Sequence, residues 1–114
     1  MVNKWDIRYC KLDPTQGSEQ KGTRPVLVVS NNAVNHKLPV STVLPLSSHK
    51  PNDKIYPTEI LLTANLTGLS KDSIAMVQQI RTVAHTRLAT LVGQLQDINA
   101  REKILNAIRL YFGL

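Results

Sequence analysis

Apolar positions along the chain change their period once, near residue 96. Before that point they come in short runs broken by glycine, proline, asparagine and aspartate, which is the pattern of short strands joined by turns. Residues 5–11 alternate, with Trp5, Ile7 and Tyr9 on one face and Asp6 and Arg8 on the other, and stop at the Asp13-Pro14 turn signal. Residues 24–30 are almost continuously apolar, which predicts a strand buried on both faces. Residues 31–39 read as a turn or a short helical piece ending at proline. A third strand is expected over 40–46, followed by a polar loop over 47–56. A fourth is expected over 58–63, followed by a loop over 64–72. Residues 73–80 read as a fifth strand, 81–87 as a connector, and 88–95 as a sixth strand weakened at Gly93. After residue 96, Ile98, Ile104, Leu105, Ile108, Tyr111 and Phe112 recur at helical spacing. Asn99 with Glu102 forms a capping-box pattern, and Asp97 is an equally good cap. Residues 1–114 are thus expected to form one mainly β (α+β) domain, a small barrel or sandwich with a C-terminal α-helix.

Composition narrows what such a domain could do. The 114 residues contain one cysteine, Cys10, which excludes an internal disulfide and a cysteine-based zinc site. No paired histidine spacing suggests a metal or another cofactor: His36, His49 and His85 are scattered over three predicted loops, where solvated histidines are the simpler reading. The charged start, MVNKWDIRYCK, has no apolar leader. The longest apolar run, 26–29, falls far short of the roughly 20 residues of a membrane span. A cytoplasmic protein with no membrane partner is expected. Fourteen basic against eight acidic residues give a net charge of +6, the footprint of a polyanion binder.

The densest polar chemistry lies beside the most apolar strand. Thr15, Gln16, Ser18, Glu19, Gln20, Lys21 and Thr23 lead into Arg24, which directly precedes Pro25 and the buried run. Loops held by rigid strands favour sites, and a guanidinium fixed at such a junction suits bidentate phosphate binding. Gly17 and Gly22 allow close backbone approach, although the spacing is not that of a Walker loop. Ser47 and Ser48 end a predicted strand, where a hydroxyl could donate to a phosphate oxygen. His49 stands two residues beyond Ser47, and Glu19 has no evident local task.

The stretch LDPTQGSEQKGTRPVLVVSN, residues 12–31, resembles the N-terminal signature of the MazF/PemK (Kid-type) toxin family, ribonucleases of toxin–antitoxin systems. Thr42-Val43-Leu44-Pro45-Leu46-Ser47, Pro57-Thr58-Glu59, Asp72-Ser73, Gln79-Ile80-Arg81-Thr82-Val83, Arg87-Leu88 and Gly93 resemble later family motifs in the same order. The resemblance implies an SH3-like, CcdB-like barrel with a C-terminal helix, assembled as a homodimer. It implies metal-independent, sequence-selective cleavage of single-stranded RNA, and neutralisation by a cognate antitoxin protein. Arg24 and Ser47 carry over as the catalytic pair, and Gln79, Ser18, Glu19 and Gln20 as RNA contacts, to which the residue reading adds Thr23 and Ser48. The Kid-like branch uses an aspartate, an arginine and a histidine where this chain has Gln78, Met76 and Ser18, so that version of the site is absent. Trp5 stands where many members have glycine, and reads as a packing residue.

In the implied reaction the 2′-hydroxyl attacks the adjacent phosphorus, leaving a 2′,3′-cyclic phosphate and a 5′-hydroxyl. Arginine is effectively always protonated, so Glu19, His49 or solvent is left as the base. Stacking on a base is left to Tyr56, a proline or an arginine, since Trp5, Tyr111 and Phe112 are assigned to the core or a dimer. The alternatives are a gyrase poison of the CcdB type, which shares the fold, and a non-catalytic RNA binder.

Overall fold

The computed structural model describes residues 1–12 and 22–114. Seven strands lie in the order β4-β5-β3-β2-β1-β7, with β6 also on β3. They are β1 (Asp6–Lys11), β2 (Thr23–Val28), β3 (Val40–Ser48), β4 (Glu59–Leu62), β5 (Ser73–Met76), β6 (Arg81–Ala84) and β7 (Leu88–Gln94). All the pairings are antiparallel. Three helices accompany them: α1 (Asn32–Asn35), α2 (Ala64–Thr67) and α3 (Ile98–Phe112).

β3 is the axis of the sheet. One edge of it carries β2, and the other carries β6 at residues 40–43 and then β5 at residues 46–48. Between those two partners the register jumps by three residues, and the 3-10 turn Val77–Gln79 takes up the difference. The strand expected over 73–80 is therefore only β5 followed by the 3-10 turn, and the expected connector 81–87 contains β6. Alternation alone could not reveal this, because the break is set by pairing with β3. The segment 64–72, expected as a loop, begins with α2, whose first amide donates to Asp72 Oδ1 (2.8 Å).

The expected barrel is not closed by hydrogen bonds, since β4 and β7 end the sheet without pairing. α2, which follows β4, lies against β7 instead. A Cβ on Gly93 would stand 2.7 Å from the Thr67 carbonyl oxygen. Gly93 is thus the seat of this contact rather than a weakness in β7.

Two apolar clusters cover the two faces. Ile7, Leu27, Leu44, Leu46, Leu62, Ala75, Val77 and Leu95 pack with Ala100, Ile104 and Ala107 of α3. Cys10, Leu12, Val26, Val28, Val43 and Val83 pack on the other side with Val2. Successive residues of β2 alternate between the clusters, as its unbroken apolar run predicts. Burying Ile104, which is wholly inaccessible, contributes about 1.5–3 kcal/mol. The expected helical stripe holds at its centre, but Ile98, Tyr111 and Phe112 are exposed and the small residues Ala100 and Ala107 carry the contact. Asp97, not Asn99, caps the helix, accepting from the Ala100 amide at 2.8 Å.

The expected polar face of β1 is not solvated. Asp6 is buried, paired with Arg8 at 3.2 Å and accepting from the Gln94 side chain at 3.1 Å, whereas Tyr9 is exposed. Trp5 precedes the strand at φ +74°, the left-handed region where a bulky residue is an outlier and glycine is at ease. That conformation accounts for a glycine at this position as packing alone does not. The Trp5 ring is buried, with Lys4 Nζ 5.2 Å and the Arg101 guanidinium 5.3 Å from its centroid.

Candidate active site

Arg24 is held by its neighbours. Pro25 restricts the residue before it to extended backbone, and Arg24 lies in β2, paired with Cys10 of β1. Gly22, at φ +80°, turns the chain into the strand, and its carbonyl accepts from the Leu12 amide at 2.9 Å. Ser47 and Ser48 lie inside β3, two residues further along the strand than expected.

Strand alternation puts Arg24 and Ser47 on one face. Val26 pairs with Pro45. Arg24 shares Val26's face and Ser47 shares Pro45's, one row further towards the same end. Arg81 pairs with Val43 and belongs to this face as well. It is the face of the second cluster, so the site stands on an apolar floor of Val26, Val43 and Cys10.

The electrostatics here are basic. Burial pushes the Cys10 thiol up from its usual 9.0, and the nearby Arg81 and Arg87 guanidiniums pull part of the way back. Two guanidiniums thus lie near one buried thiol, and Arg24 pairs through its backbone with the same residue. Arg81 donates to the Leu12 carbonyl at 3.0 Å and Arg87 to that of Lys11 at 3.4 Å, which anchors both beside β1. Two anchored positive charges over an apolar floor, with Arg24 at the neighbouring strand end, make this face suited to a phosphate oxygen.

Two clefts open at this end and share Ser48. One, of about 140 Å³, is lined by Tyr9, Arg24, Pro25, Leu46, Ser48, Leu69, Ser70, Lys71 and Ser73. It holds two cations and three serine hydroxyls but no carboxylate. The other, of about 260 Å³, is lined by Ser47, Ser48, Asp53, Lys54, Tyr56, Glu59, Ile74 and Met76. Its carboxylates are committed. Glu59 accepts from Gln78 Nε2 (2.6 Å) and from the Tyr56 amide (3.0 Å), and Asp53 Oδ2 accepts from the Lys50 amide (3.0 Å). Gln78 also accepts from Thr58 Oγ1 at 2.9 Å.

Of the residues singled out by sequence, Arg24 and Ser48 line the smaller cleft, and Ser47 and Ser48 line the larger one. Thr23 is exposed one residue before Arg24 in β2, and Gln79 lies on the 3-10 turn at the register break. Ser18, Glu19 and Gln20 fall outside the described residues. The solvated reading holds for His36, which is exposed with Nε2 2.8 Å from Asn3 Oδ1, but not for His85, which is half-buried with Nε2 2.8 Å from Ser41 Oγ. Tyr56 is exposed with Lys54 Nζ 5.2 Å from its ring centroid, whereas Tyr111 and Phe112 stack edge to face outside the core. Sequence reading missed Lys71, Ser70 and Ser73, which β5 and its approach bring under Ser48 by the Ser48–Ser73 pairing. It also missed the clustering of Arg81 and Arg87, whose one visible signal was the pair of arginines flanking a short β-prone run.

Comparison with known proteins accords with this geometry. Residues 3–112 match the profile of the PemK-like, MazF-like toxin of type II toxin–antitoxin systems. The chain is 38% identical to endoribonuclease MazF9 of Mycobacterium tuberculosis over 119 aligned positions, covering 100% of this chain and 98% of the relative. It is 32% identical to endoribonuclease EndoA of Bacillus subtilis, covering 100% and 97%. Among solved structures, MazF of Deinococcus radiodurans superposes with a TM-score of 0.82 at 23% identity over 99% of this chain and 97% of that one. An endoribonuclease from a mycobacterial species, solved with its cognate antitoxin, superposes at 0.77 with 21% identity over 100% and 97%.

Proposed function

Because the chain belongs to the PemK-like, MazF-like toxin family, we propose that it is an endoribonuclease toxin cleaving single-stranded RNA through Arg24 and Ser47. The observation that carries this reading is their position on one basic face, one row beyond the Val26–Pro45 pair. RNA brings its own nucleophile, so no metal is needed to generate one. The 2′-hydroxyl loses its proton and attacks phosphorus, the bond to the 5′-oxygen breaks, and that oxygen takes up a proton. Products are a 2′,3′-cyclic phosphate and a 5′-hydroxyl. Arg24 holds the scissile phosphoryl oxygens and stabilises the charge that builds on them, an effect worth about 3 kcal/mol per preorganised donor. Ser47 supplies a second donor from the facing strand. Alignment of the attack accounts for several kcal/mol more.

Unstacked bases are read by side chains at the cleft rims, with Tyr56 as stacking platform and Ser48, Thr23 and Gln79 as polar contacts. Ser18, Glu19 and Gln20, outside the described residues, are assigned as further RNA contacts. The +6 charge draws RNA to the face and makes binding sensitive to salt. The protein acts in the cytoplasm as a homodimer, and an acidic antitoxin segment neutralises it by occupying the basic face. No helix among the described residues is long and apolar enough to cross a membrane.

Purified protein incubated with single-stranded RNA and excess chelator tests the reading. Cleavage to cyclic-phosphate ends is expected to persist, and a strict requirement for magnesium would sink the mechanism. Mapping cut sites on a long RNA then gives the recognised sequence.

A further inference from the structure

The ribonuclease reading leaves the role of His49 open, and the hydrogen-bonding pattern around its ring decides it. The β3–β5 ladder pairs Ser47 with Ile74 and Ser48 with Ser73, and the His49 amide extends it by donating to the Asp72 carbonyl at 2.9 Å. His49 therefore continues the alternation and shares the face of Ser47 and Arg24. Its Nδ1 is buried without any hydrogen-bond partner, the one such side-chain atom among the described residues. Nε2 is neither buried nor bonded there, and faces solvent.

A histidine that serves as a base holds a proton on its inner nitrogen, bonded to a carboxylate or carbonyl, and offers a lone pair on the outer one. Among the described residues no such acceptor bonds it. The Asp72 and Asp53 carboxylates accept from the Ala64 (2.8 Å) and Lys50 (3.0 Å) amides, and neither bonds His49 Nδ1. A proton placed on Nδ1 would be buried without an acceptor, which costs more than an unused lone pair there. The neutral ring accordingly carries its proton on Nε2.

We propose that His49 is a fixed Nε2–H donor to a phosphoryl oxygen or sugar hydroxyl of the bound RNA, and not the general base. In this arrangement Arg24, Ser47 and His49 contribute three donors from one face, and the proton of the 2′-hydroxyl leaves by another route. The inference rests on the ribonuclease reading for its substrate, but the tautomer is a property of the resting protein.

Two experiments on the full-length protein test it. Long-range proton–nitrogen correlation spectra of the 15N-labelled protein, recorded at about pH 8 where an ordinary imidazole is neutral, should show Nε2 protonated and Nδ1 bare. A proton on Nδ1, or rapid averaging between the two, overturns the inference without reference to activity. In RNA cleavage, His49→Gln keeps an N–H donor near the Nε2 position and should stay within about threefold of wild type. His49→Asn and His49→Ala should lose roughly 10- to 100-fold, with melting temperatures close to wild type. Equal losses in His49→Gln and His49→Ala, or full activity in His49→Ala, would overturn it. Full activity in Arg24→Ala would instead bring down the ribonuclease site, leaving the tautomer measurement to stand or fall alone.

Discussion

β3 carries serines at both ends, and the two ends treat them in opposite ways. Near its start, Ser41 is wholly buried and donates to Asn35 Oδ1 (2.7 Å) while meeting His85 Nε2 at 2.8 Å. Asn35 in turn donates to the Ser30 carbonyl (2.8 Å), and Ser30 Oγ accepts from the Thr42 amide (2.9 Å). Every polar group there has a partner within the protein. At the far end Ser47 and Ser48 have no side-chain partner among the described residues, and His49 Nδ1 is buried without one. Ser48 is exposed and Ser47 half-buried, so both hydroxyls are open to a ligand as those at the other end are not. Serine in a β-strand says nothing alone. What distinguishes the two ends is whether the surrounding elements complete the hydrogen bonds.

The largest effect that could break this contrast is at Arg24. Arg24→Ala should lower single-turnover RNA cleavage by about 10²–10³-fold or more, while the thermal melt moves little because the residue is exposed. A large fall in stability with cleavage retained would reverse the roles of the two ends. Next comes the satisfied end. Asn35→Ala removes the hub of a buried network and should cost roughly 3 kcal/mol in denaturant unfolding, with the cleavage rate of the folded fraction unchanged. A smaller loss is expected at Gly93, remote from both ends along the sheet. Gly93→Ala forces a Cβ against the Thr67 carbonyl and should cost about 1–3 kcal/mol, again with normal cleavage below the melting temperature.

The smallest effect concerns the floor beneath Arg24. Because burial raises the folded-state pKa of Cys10 above 9.0, the native state keeps this proton longer than the unfolded chain. The resulting stability is present in full below pH 9.0 and is lost as pH rises through the folded value. Melting curves from neutral to strongly alkaline pH should fall more steeply in wild type than in Cys10→Val. Parallel curves would show that the thiol is not desolvated beside those guanidiniums.

Much of this contrast was legible before any coordinates. The unbroken apolar run after Pro25 announced a strand buried on both faces, and the junction with a polar loop announced Arg24. Helical spacing after residue 96 announced α3. What stayed hidden depends on partners rather than on local pattern. β6 is a strand because β3 offers it an edge, and the 3-10 break exists because two registers must meet on that edge. Ser41 and Ser47 are alike in sequence, and only the sheet shows that one is enclosed by α1 and β6 while the other faces open clefts. The gathering of Arg81 and Arg87 around Cys10 likewise requires knowing that β1 lies between β2 and β7.

Trp5 is the chain's one tryptophan, and its place in the fold makes the protein its own fluorometer. Its amide donates to Val28 (2.7 Å), its carbonyl accepts from Leu95 (2.8 Å), and its ring lies against Arg101 at the start of α3. Emission from that single indole therefore reports β2, the end of β7 and the docking of α3 together. No fluorophore need be attached near the RNA-facing end, so folding and cleavage can be followed in the same cuvette without disturbing either.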